Sequence, residues 1–183
     1  QKRDFYQQRA SQRFHAIQQY CYCKEDKIYY DHHWKNKNLT KKFTAASFFP
    51  FWLDAVPPEN IIQCGKAVAE KTKEELLRDG GILTTTVTNN QQWDAPNGWA
   101  PLQWISIAAM EKSGQAELAE EIARRWLKLN EEVFSRTGKL MEKYNVVDTH
   151  LEAGGGEYEG QDGFGWTNGV YLALKKKYPA KKV

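Results

Sequence analysis

The sequence predicts an all-α fold in which six helices are joined by long loops. The clearest evidence lies in residues 116–136, where apolar side chains recur every three or four positions and would line one helical face: Leu118, Ile122, Trp126, Leu129 and Val133. Glycine or proline stands where most of the helical segments would begin or end, as is typical of helix termini. No segment carries a convincing strand pattern, so no sheet is expected.

The N-terminal part of the chain is predicted to contain two helices separated by a polar segment. Residues 4–22 place several apolar side chains on one helical face. Residues 24–42 are polar and charged, which indicates a short hairpin or an irregular loop. Thr40 is expected to cap the second helix, over residues 45–55, which is apolar almost all round and should be buried. Pro50 must bend this helix or lie near its first turn.

The middle of the chain predicts two further helices. One covers residues 59–78 after a Pro-Pro pair, and the Asp-Gly-Gly sequence at 79–81 ends it in the manner of a C-terminal cap. The threonine-rich residues 82–87 are expected to be extended or loop-like. The other helix covers residues 98–112, where Pro101 is tolerated because it falls in the first turn.

The last two predicted helices flank a glycine-rich loop. The helix over residues 116–136 should end at Gly138. The glycine-rich residues 154–165 then lead into a final helix of about residues 166–176. Some neighbouring helices in this arrangement are interpreted as antiparallel hairpins.

The composition excludes two classes of protein. The chain has 183 residues, the length of a single domain, with 26 Lys+Arg against 23 Asp+Glu and a net charge of +3. This balance argues against a dedicated nucleic-acid binder, which would show a concentrated basic face. No apolar run approaches the roughly 20 residues that a membrane-spanning helix needs. We therefore expect neither a nucleic-acid partner nor a membrane span.

The three cysteines predict no metal site. Cys21 and Cys23 are too close in sequence to form an easy disulfide with each other, and none of the cysteines has zinc-ligand spacing with a histidine. Cys64 is interpreted as a small buried hydrophobic residue. A glycosylation sequon at residues 38–40 favours a secreted protein.

The first candidate functional segment, residues 91–101, places amides, a carboxylate and two indoles before a predicted helix. Asp94 has two interpretations. Its carboxylate could cap the following helix, which the helix dipole favours. Alternatively, the segment forms a polyol site in which amide and carboxylate groups bind sugar hydroxyls and an indole covers the apolar face of the ring.

The second candidate segment, residues 154–166, mixes glycines with acidic and aromatic residues. Glycines let a backbone approach a ligand closely. The segment lacks the Lys-Ser/Thr pair of a phosphate-binding loop and the regular Asp spacing of an EF-hand, which disfavours a nucleotide or a calcium ion. Carboxylates beside aromatic rings suit a neutral sugar better.

These segments, in this order, resemble the signatures of the trehalases. Residues 92–101 (QWDAPNGWAP) are similar to the second signature of that family, and residues 154–170 (GGGEY through GFGWTNGV) to its glycine-rich stretch. Residues 141–146 (MEKYNV) match the segment that lies between them. The helices from Phe5 onward fit the same C-terminal region, so the resemblance covers essentially residues 1–183.

The resemblance implies a fold, a reaction and a set of site residues. Trehalases are inverting glycosidases that split α,α-trehalose into two glucoses on an (α/α)6 barrel without a cofactor, so this chain would form the C-terminal half of such a barrel. Glu142 would be the catalytic base, and Glu157 would lie in the substrate pocket. The same motifs would supply the remaining residues of the cleft: Gln92, Trp93, Asp94, Phe164 and Trp166.

The resemblance also implies that the N-terminal part of the same enzyme is a necessary partner. The catalytic acid of the family, an Asp in a Gly-Trp-Asp segment, lies upstream of the matching region, and this chain contains no such segment. Inversion needs that acid on one face of the sugar and a water-activating carboxylate on the other, roughly 6.5–9.5 Å away. The isolated chain is therefore expected to be inactive, and the family resemblance favours a secreted or periplasmic location.

Three alternatives stay open. The pattern around Glu142 alone is equally typical of a surface glutamate beside Lys143. The chain could also be a non-catalytic carbohydrate-binding or interaction fragment that kept the fold. Finally, an (α/α)6 glycosidase acting on another glucoside would carry similar helices.

Overall fold

A computed structural model describes residues 2–153, 158 and 160–180, and this part of the chain is mostly helical, as predicted. The α-helices are α1 (Lys2–Ala16), α2 (Phe49–Trp52), α3 (Ile61–Lys71), α4 (Ala100–Lys112), α5 (Ala116–Thr137) and α6 (Gly165–Lys177). A π-helical turn continues α1 over Ile17–Cys21 and α3 over Thr72–Leu76. A 3-10 turn precedes α2 over Ala45–Phe48 and α3 over Pro58–Asn60.

Helix α5 confirms the prediction made from its apolar spacing. It buries the predicted face, which consists of Leu118, Ile122, Trp126, Leu129 and Val133. The helix ends because Gly138 adopts the left-handed conformation, with φ of 69°, and donates its N–H to the Phe134 carbonyl at 2.7 Å. An L residue with a side chain adopts this conformation at a cost, so glycine is favoured here.

Helix α4 lies at the centre of the core, in contact with α2, α3, α5 and α6. Its apolar and small side chains are buried on most sides, and Pro101 lies in the first turn as predicted. Helix α3 approaches the end of α4 so closely that a Cβ on Gly65 would lie 2.3 Å from Ser113 Cβ. A glycine is therefore required where these two helices meet.

The expectation that the chain has no sheet is wrong. Within the described residues, four two-stranded antiparallel ladders are present, and each strand has two or three residues. The first two ladders pair β1 (Tyr22–Cys23) with β2 (Ile28–Tyr29) and β3 (His32–His33) with β4 (Asn38–Leu39). The other two pair β5 (Leu77–Arg78) with β6 (Gly81–Ile82) and β7 (Asn97–Trp99) with β8 (Lys143–Asn145). Strands this short are not long enough to show a sequence alternation. The ladder of β3 with β4 confirms a hairpin within residues 24–42.

The predicted helix over residues 45–55 is shorter than expected and begins differently. Thr44, not Thr40, caps it, because the Thr44 hydroxyl accepts a hydrogen bond from the Ala46 N–H at 3.2 Å. Pro50 lies in the first turn of α2, where its missing N–H costs no helical hydrogen bond. The helix is also not buried all round, since Trp52 is 39% exposed.

The predicted helix over residues 59–78 ends at Leu76, because the next residues pair as β5 and β6. The turn between these strands contains Gly80 and Gly81, and Gly81 has a φ of +125°. The two glycines therefore serve a hairpin instead of a helix cap. Cys64 is buried as predicted, and all three cysteines are free thiols. No helix within the described ranges is both long and apolar enough to cross a membrane.

Candidate active site

The ladder between β7 and β8 brings the two resembling segments together. Asn97 pairs with Asn145, Gly98 with Tyr144, and Trp99 with Lys143. A Cβ on Gly98 would lie 2.4 Å from Val146 Cγ1 and 2.9 Å from the Ile82 carbonyl oxygen, so only glycine lets the strands pack this closely. Glu142 immediately precedes β8 and is therefore held beside the tryptophan-containing segment 92–101.

Glu142 is buried, and its main chain is fixed on both sides. Its N–H donates to the Gln161 carbonyl at 2.8 Å, and its carbonyl accepts from the Trp166 indole N–H at 3.1 Å. The carboxylate oxygen Oε1 accepts a hydrogen bond from the Tyr158 hydroxyl at 3.0 Å. The other oxygen, Oε2, is buried and has no hydrogen-bond partner among the described residues. A buried carboxylate oxygen without a partner is unusual in folded proteins.

Gln92 connects the segment 92–101 to both Tyr158 and Lys143. Its side-chain NH2 donates to the Tyr158 carbonyl at 3.1 Å, while its Oε1 accepts a hydrogen bond from the Lys143 ammonium. Its own carbonyl accepts from the Asn97 side-chain NH2 at 3.2 Å. Gln92 is only 5% exposed, which confines it to this position.

Lys143 is an almost fully buried cation, at 2% exposure. Burial lowers its pKa, and the negative charge of Glu142 opposes that shift. Its Nζ lies 5.8 Å from the centre of the Trp99 ring and 5.5 Å from that of Tyr158, at distances where cation–π attraction acts. Lys143 and Tyr158 were not among the predicted site residues. For Lys143 the reason is that a lysine beside a glutamate is usually exposed to solvent.

Asp94 is buried and organises its own loop. Its Oδ2 accepts from the backbone N–H groups of Asn89, at 2.6 Å, and Gln91, at 3.0 Å. Its carbonyl accepts from the Asn97 N–H at 3.0 Å. Asp94 therefore does not cap helix α4, as one prediction had it; the carboxylate closes a tight turn several residues earlier.

Aromatic rings cover one side of the segment. Trp93 is 44% exposed and stacks on the buried Trp99, with ring centres 3.9 Å apart and planes 17° from parallel. Trp99 in turn meets the edge of Trp166 at 5.8 Å, and Phe164 lies 4.7 Å from Trp166. An exposed indole held flat by a second indole offers an apolar face to a ligand.

Six of the seven predicted site residues are described, and they lie in one region. Gln92, Trp93, Glu142, Phe164 and Trp166 are linked by the hydrogen bonds and ring contacts given above. Asp94 lies in the same loop as Gln92 and Trp93 and binds the backbone of that loop. Glu157 lies outside the described residues.

A cavity of about 700 Å³ opens beside this region. Lys143 and Tyr158 line it, together with Met141 and Asp162, whereas Glu142 is not among the described residues of its wall. Within the described ranges, no three His, Cys, Asp or Glu side chains are grouped as metal ligands would be.

The chain resembles the trehalases in sequence. The family model for trehalase matches residues 1–179. The periplasmic trehalase of Pseudomonas aeruginosa is 41% identical over 173 residues, which are 94% of this chain and 31% of that relative. The periplasmic trehalase of Xanthomonas oryzae pv. oryzae is 40% identical over 172 residues, or 94% of this chain and 29% of that protein. The chain thus spans less than a third of the length of these curated relatives.

Solved structures agree with the sequence comparison. The neutral trehalase Nth1 from Saccharomyces cerevisiae superposes with a TM-score of 0.74 at 26% identity, over 96% of this chain and 31% of that one. A mannosylglycerate hydrolase from Thermus thermophilus superposes with a TM-score of 0.58 at 19% identity, over 86% of this chain and 35% of that one. The second likeness concerns the fold alone.

Proposed function

Because the chain belongs to the trehalase family, we propose that it supplies the base side of an active site that hydrolyses α,α-trehalose to two glucoses with inversion of configuration. In this proposal residues 1–183 form the C-terminal part of the catalytic domain and half of an (α/α)6 barrel. A separate N-terminal part supplies the rest. The periplasmic relatives favour a location in the periplasm or outside the cell.

The observation that carries the proposal is the asymmetric environment of the Glu142 carboxylate. Tyr158 holds Oε1, while Oε2 has no partner among the described side chains. A general base needs this arrangement, with one oxygen fixed for orientation and the other available to a water molecule.

The reaction then proceeds as a single displacement. Glu142 removes a proton from water, the water oxygen attacks the anomeric carbon, and the bond from that carbon to the bridging oxygen breaks. A carboxylic acid on the opposite face protonates the bridging oxygen as the second glucose leaves. Inverting enzymes separate these two carboxyl groups by roughly 6.5–9.5 Å, which leaves room for the water. The acid belongs to the N-terminal part of the enzyme in this proposal.

The sugar is proposed to lie against the aromatic surface of Trp93, Phe164 and Trp166. A glucose ring has an apolar face that packs on an indole, and its hydroxyls need planar hydrogen-bonding groups. Gln92, Asp94 and Glu157 are the candidates for those groups. Because both Oδ2 bonds of Asp94 go to its own loop, its role toward the sugar would be to hold Trp93 in place.

The test joins this chain to the N-terminal part of the Pseudomonas aeruginosa periplasmic trehalase, in place of that protein's matching region. The joined enzyme should release glucose from trehalose but not from maltose or cellobiose. The Glu142→Gln variant should lose about 10²–10⁴-fold in kcat with little change in KM, because general acid–base catalysis contributes that much.

Two other outcomes of this experiment would favour the alternative functions. Unchanged turnover in Glu142→Gln would leave Glu142 as scaffold and favour a non-catalytic carbohydrate-binding or interaction fragment. Faster cleavage of maltose or cellobiose than of trehalose would indicate a glycosidase for another glucoside. A Glu132→Gln variant, which changes a glutamate on α5 whose side chain is 40% exposed, serves as the matched control and should retain full activity.

A further inference from the structure

We propose that Lys143 is a positioning residue for the base, acting on Glu142 through Gln92 and Tyr158. This inference rests on the proposed role of Glu142. Three hydrogen bonds form a closed path from Lys143 back to its own sequence neighbour: Lys143 Nζ to Gln92 Oε1, Gln92 Nε2 to the Tyr158 carbonyl, and the Tyr158 hydroxyl to Glu142 Oε1.

The direction of each bond follows from the chemistry of the groups. An ammonium can only donate hydrogen bonds, so Lys143 selects the oxygen end of the Gln92 amide. The NH2 end must then face the other way, where it donates to the Tyr158 carbonyl. A neutral side chain at position 143 would remove this preference, and the amide could rotate and lose its contact with Tyr158.

The path holds Tyr158 through both its main chain and its side chain. That side chain is 45% exposed. The Gln92 amide holds its main chain, and the Lys143 ammonium lies 5.5 Å from the centre of its ring. Its hydroxyl is the hydrogen-bond donor to the Glu142 carboxylate.

Burial of Lys143 supports a functional role over a purely structural one. A lysine at 2% exposure costs more free energy to bury than a methionine of similar length, and the cost must be offset by what the charge does. Here the charge orients the Gln92 amide, which in turn holds the Tyr158 main chain.

The test measures kcat and KM across pH in the joined enzyme. Lys143→Met should lower kcat by about tenfold on the plateau where the base is ionised, with KM nearly unchanged, because a hydrogen bond to a charged group is lost along the path. Lys128→Met removes an exposed lysine, at 74% side-chain exposure, and should change neither quantity.

A double-mutant cycle with Tyr158→Phe separates a shared path from independent effects. If Lys143 acts through Tyr158, the loss of plateau kcat caused by Lys143→Met should shrink to less than about twofold in the Tyr158→Phe background. Gln92→Met keeps the lysine charge but breaks the path, so it should also lower plateau kcat. If Lys143→Met does not fold, the plateau kcat of Gln92→Met tests the inference instead.

Two results would overturn the inference while leaving the proposed function intact. In the first result, the losses of plateau kcat caused by Lys143→Met and by Tyr158→Phe multiply in the double variant, as independent effects would. The other is a Lys143→Met variant that changes KM alone and leaves plateau kcat unchanged. Full activity of Glu142→Gln would instead overturn the proposed function itself, so the two failures are distinguishable.

Discussion

At the scale of single residues, one carboxylate in the candidate site serves the loop and another serves the proposed chemistry. Asp94 and Glu142 are both acidic, both buried and both part of the resembling segments. Asp94 Oδ2 accepts two backbone N–H groups, whereas Glu142 Oε2 accepts none from the described residues. The number of backbone donors around a carboxylate therefore separates the two roles, and the sequence carries no signal for that number.

This difference leads to a prediction for Asp94. Asp94→Ala should lower the free energy of unfolding of the chain by about 1–3 kcal/mol, because two backbone N–H groups lose their acceptor. Asp94→Asn keeps one acceptor oxygen and should restore most of that loss. Denaturant titration followed by circular dichroism measures both variants. If Asp94→Asn kept full stability but raised KM for trehalose several-fold in the joined enzyme, the carboxylate would be a direct sugar ligand instead.

At the scale of secondary-structure elements, prediction succeeded where the chain carries a long periodic pattern. The bounds of α4, α5 and α6 agree with the predicted segments to within two residues. The predicted segments 45–55 and 59–78 are cut short by a 3-10 turn and by the ladder of β5 with β6, respectively. Such short elements depend on contacts between distant segments, which local periodicity does not encode.

The candidate site was likewise predicted only in part from the sequence. Glu142 was identified only through the resemblance, because a glutamate beside a lysine has no distinctive pattern, whereas residues 91–101 were selected from their own residue types. Lys143 was missed because its burial depends on Gln92, which lies 51 positions earlier in the chain. The site is thus made by the pairing of β7 with β8, and that pairing cannot be derived from three-residue strands.

The pairing of β7 with β8 has a glycine requirement that can be tested. Gly98→Ala should destabilise the chain by about 1–3 kcal/mol, the usual cost of overpacking, because the added Cβ meets Val146 at 2.4 Å and the Ile82 carbonyl oxygen at 2.9 Å. Gly169→Ala is the matched control, since Gly169 is exposed within α6 and a Cβ there meets nothing within 4 Å. It should stabilise the chain by roughly 0.5–1 kcal/mol, because alanine favours a helix more than glycine does.

The glycine prediction is checked by thermal and denaturant unfolding of the two variants side by side. Equal effects of Gly98→Ala and Gly169→Ala would mean that the ladder opens to accept a methyl group. The joined enzyme adds a second measurement, because a displaced β8 would move Glu142. Gly98→Ala should therefore lower kcat, while Gly169→Ala should not.

At the scale of the whole molecule, large apolar side chains on α1 and α3 are exposed. Helix α1 has no buried residue, and its aromatic side chains Phe5 and Tyr6 are 56% and 68% exposed. Ile62 on α3 is also 51% exposed. Large aromatic side chains in such positions favour association with another surface. In a half barrel, the helices of the other half would be that surface.

The proposed half barrel predicts how the chain behaves alone and with its complement. The isolated chain should self-associate and bind a hydrophobic dye, and it should release no glucose from trehalose, because it lacks the acid that the mechanism needs. Mixing it with a separately expressed N-terminal part of the Pseudomonas aeruginosa enzyme should remove the self-association and give a one-to-one complex that cleaves trehalose. Analytical ultracentrifugation and a glucose assay measure the two effects.

Two control variants separate the effect of the exposed aromatic surface from the effect of the proposed catalytic base. Replacing Phe5 and Tyr6 by serine should weaken the complex, because exposed aromatic surface would no longer be buried on association, and should reduce dye binding by the isolated chain. Glu142→Gln should leave the complex intact and inactive, since a single buried side chain near the ladder adds nothing to that surface. A monomeric, dye-free chain that hydrolyses trehalose without its complement would contradict both the half barrel and the division of acid and base between two parts.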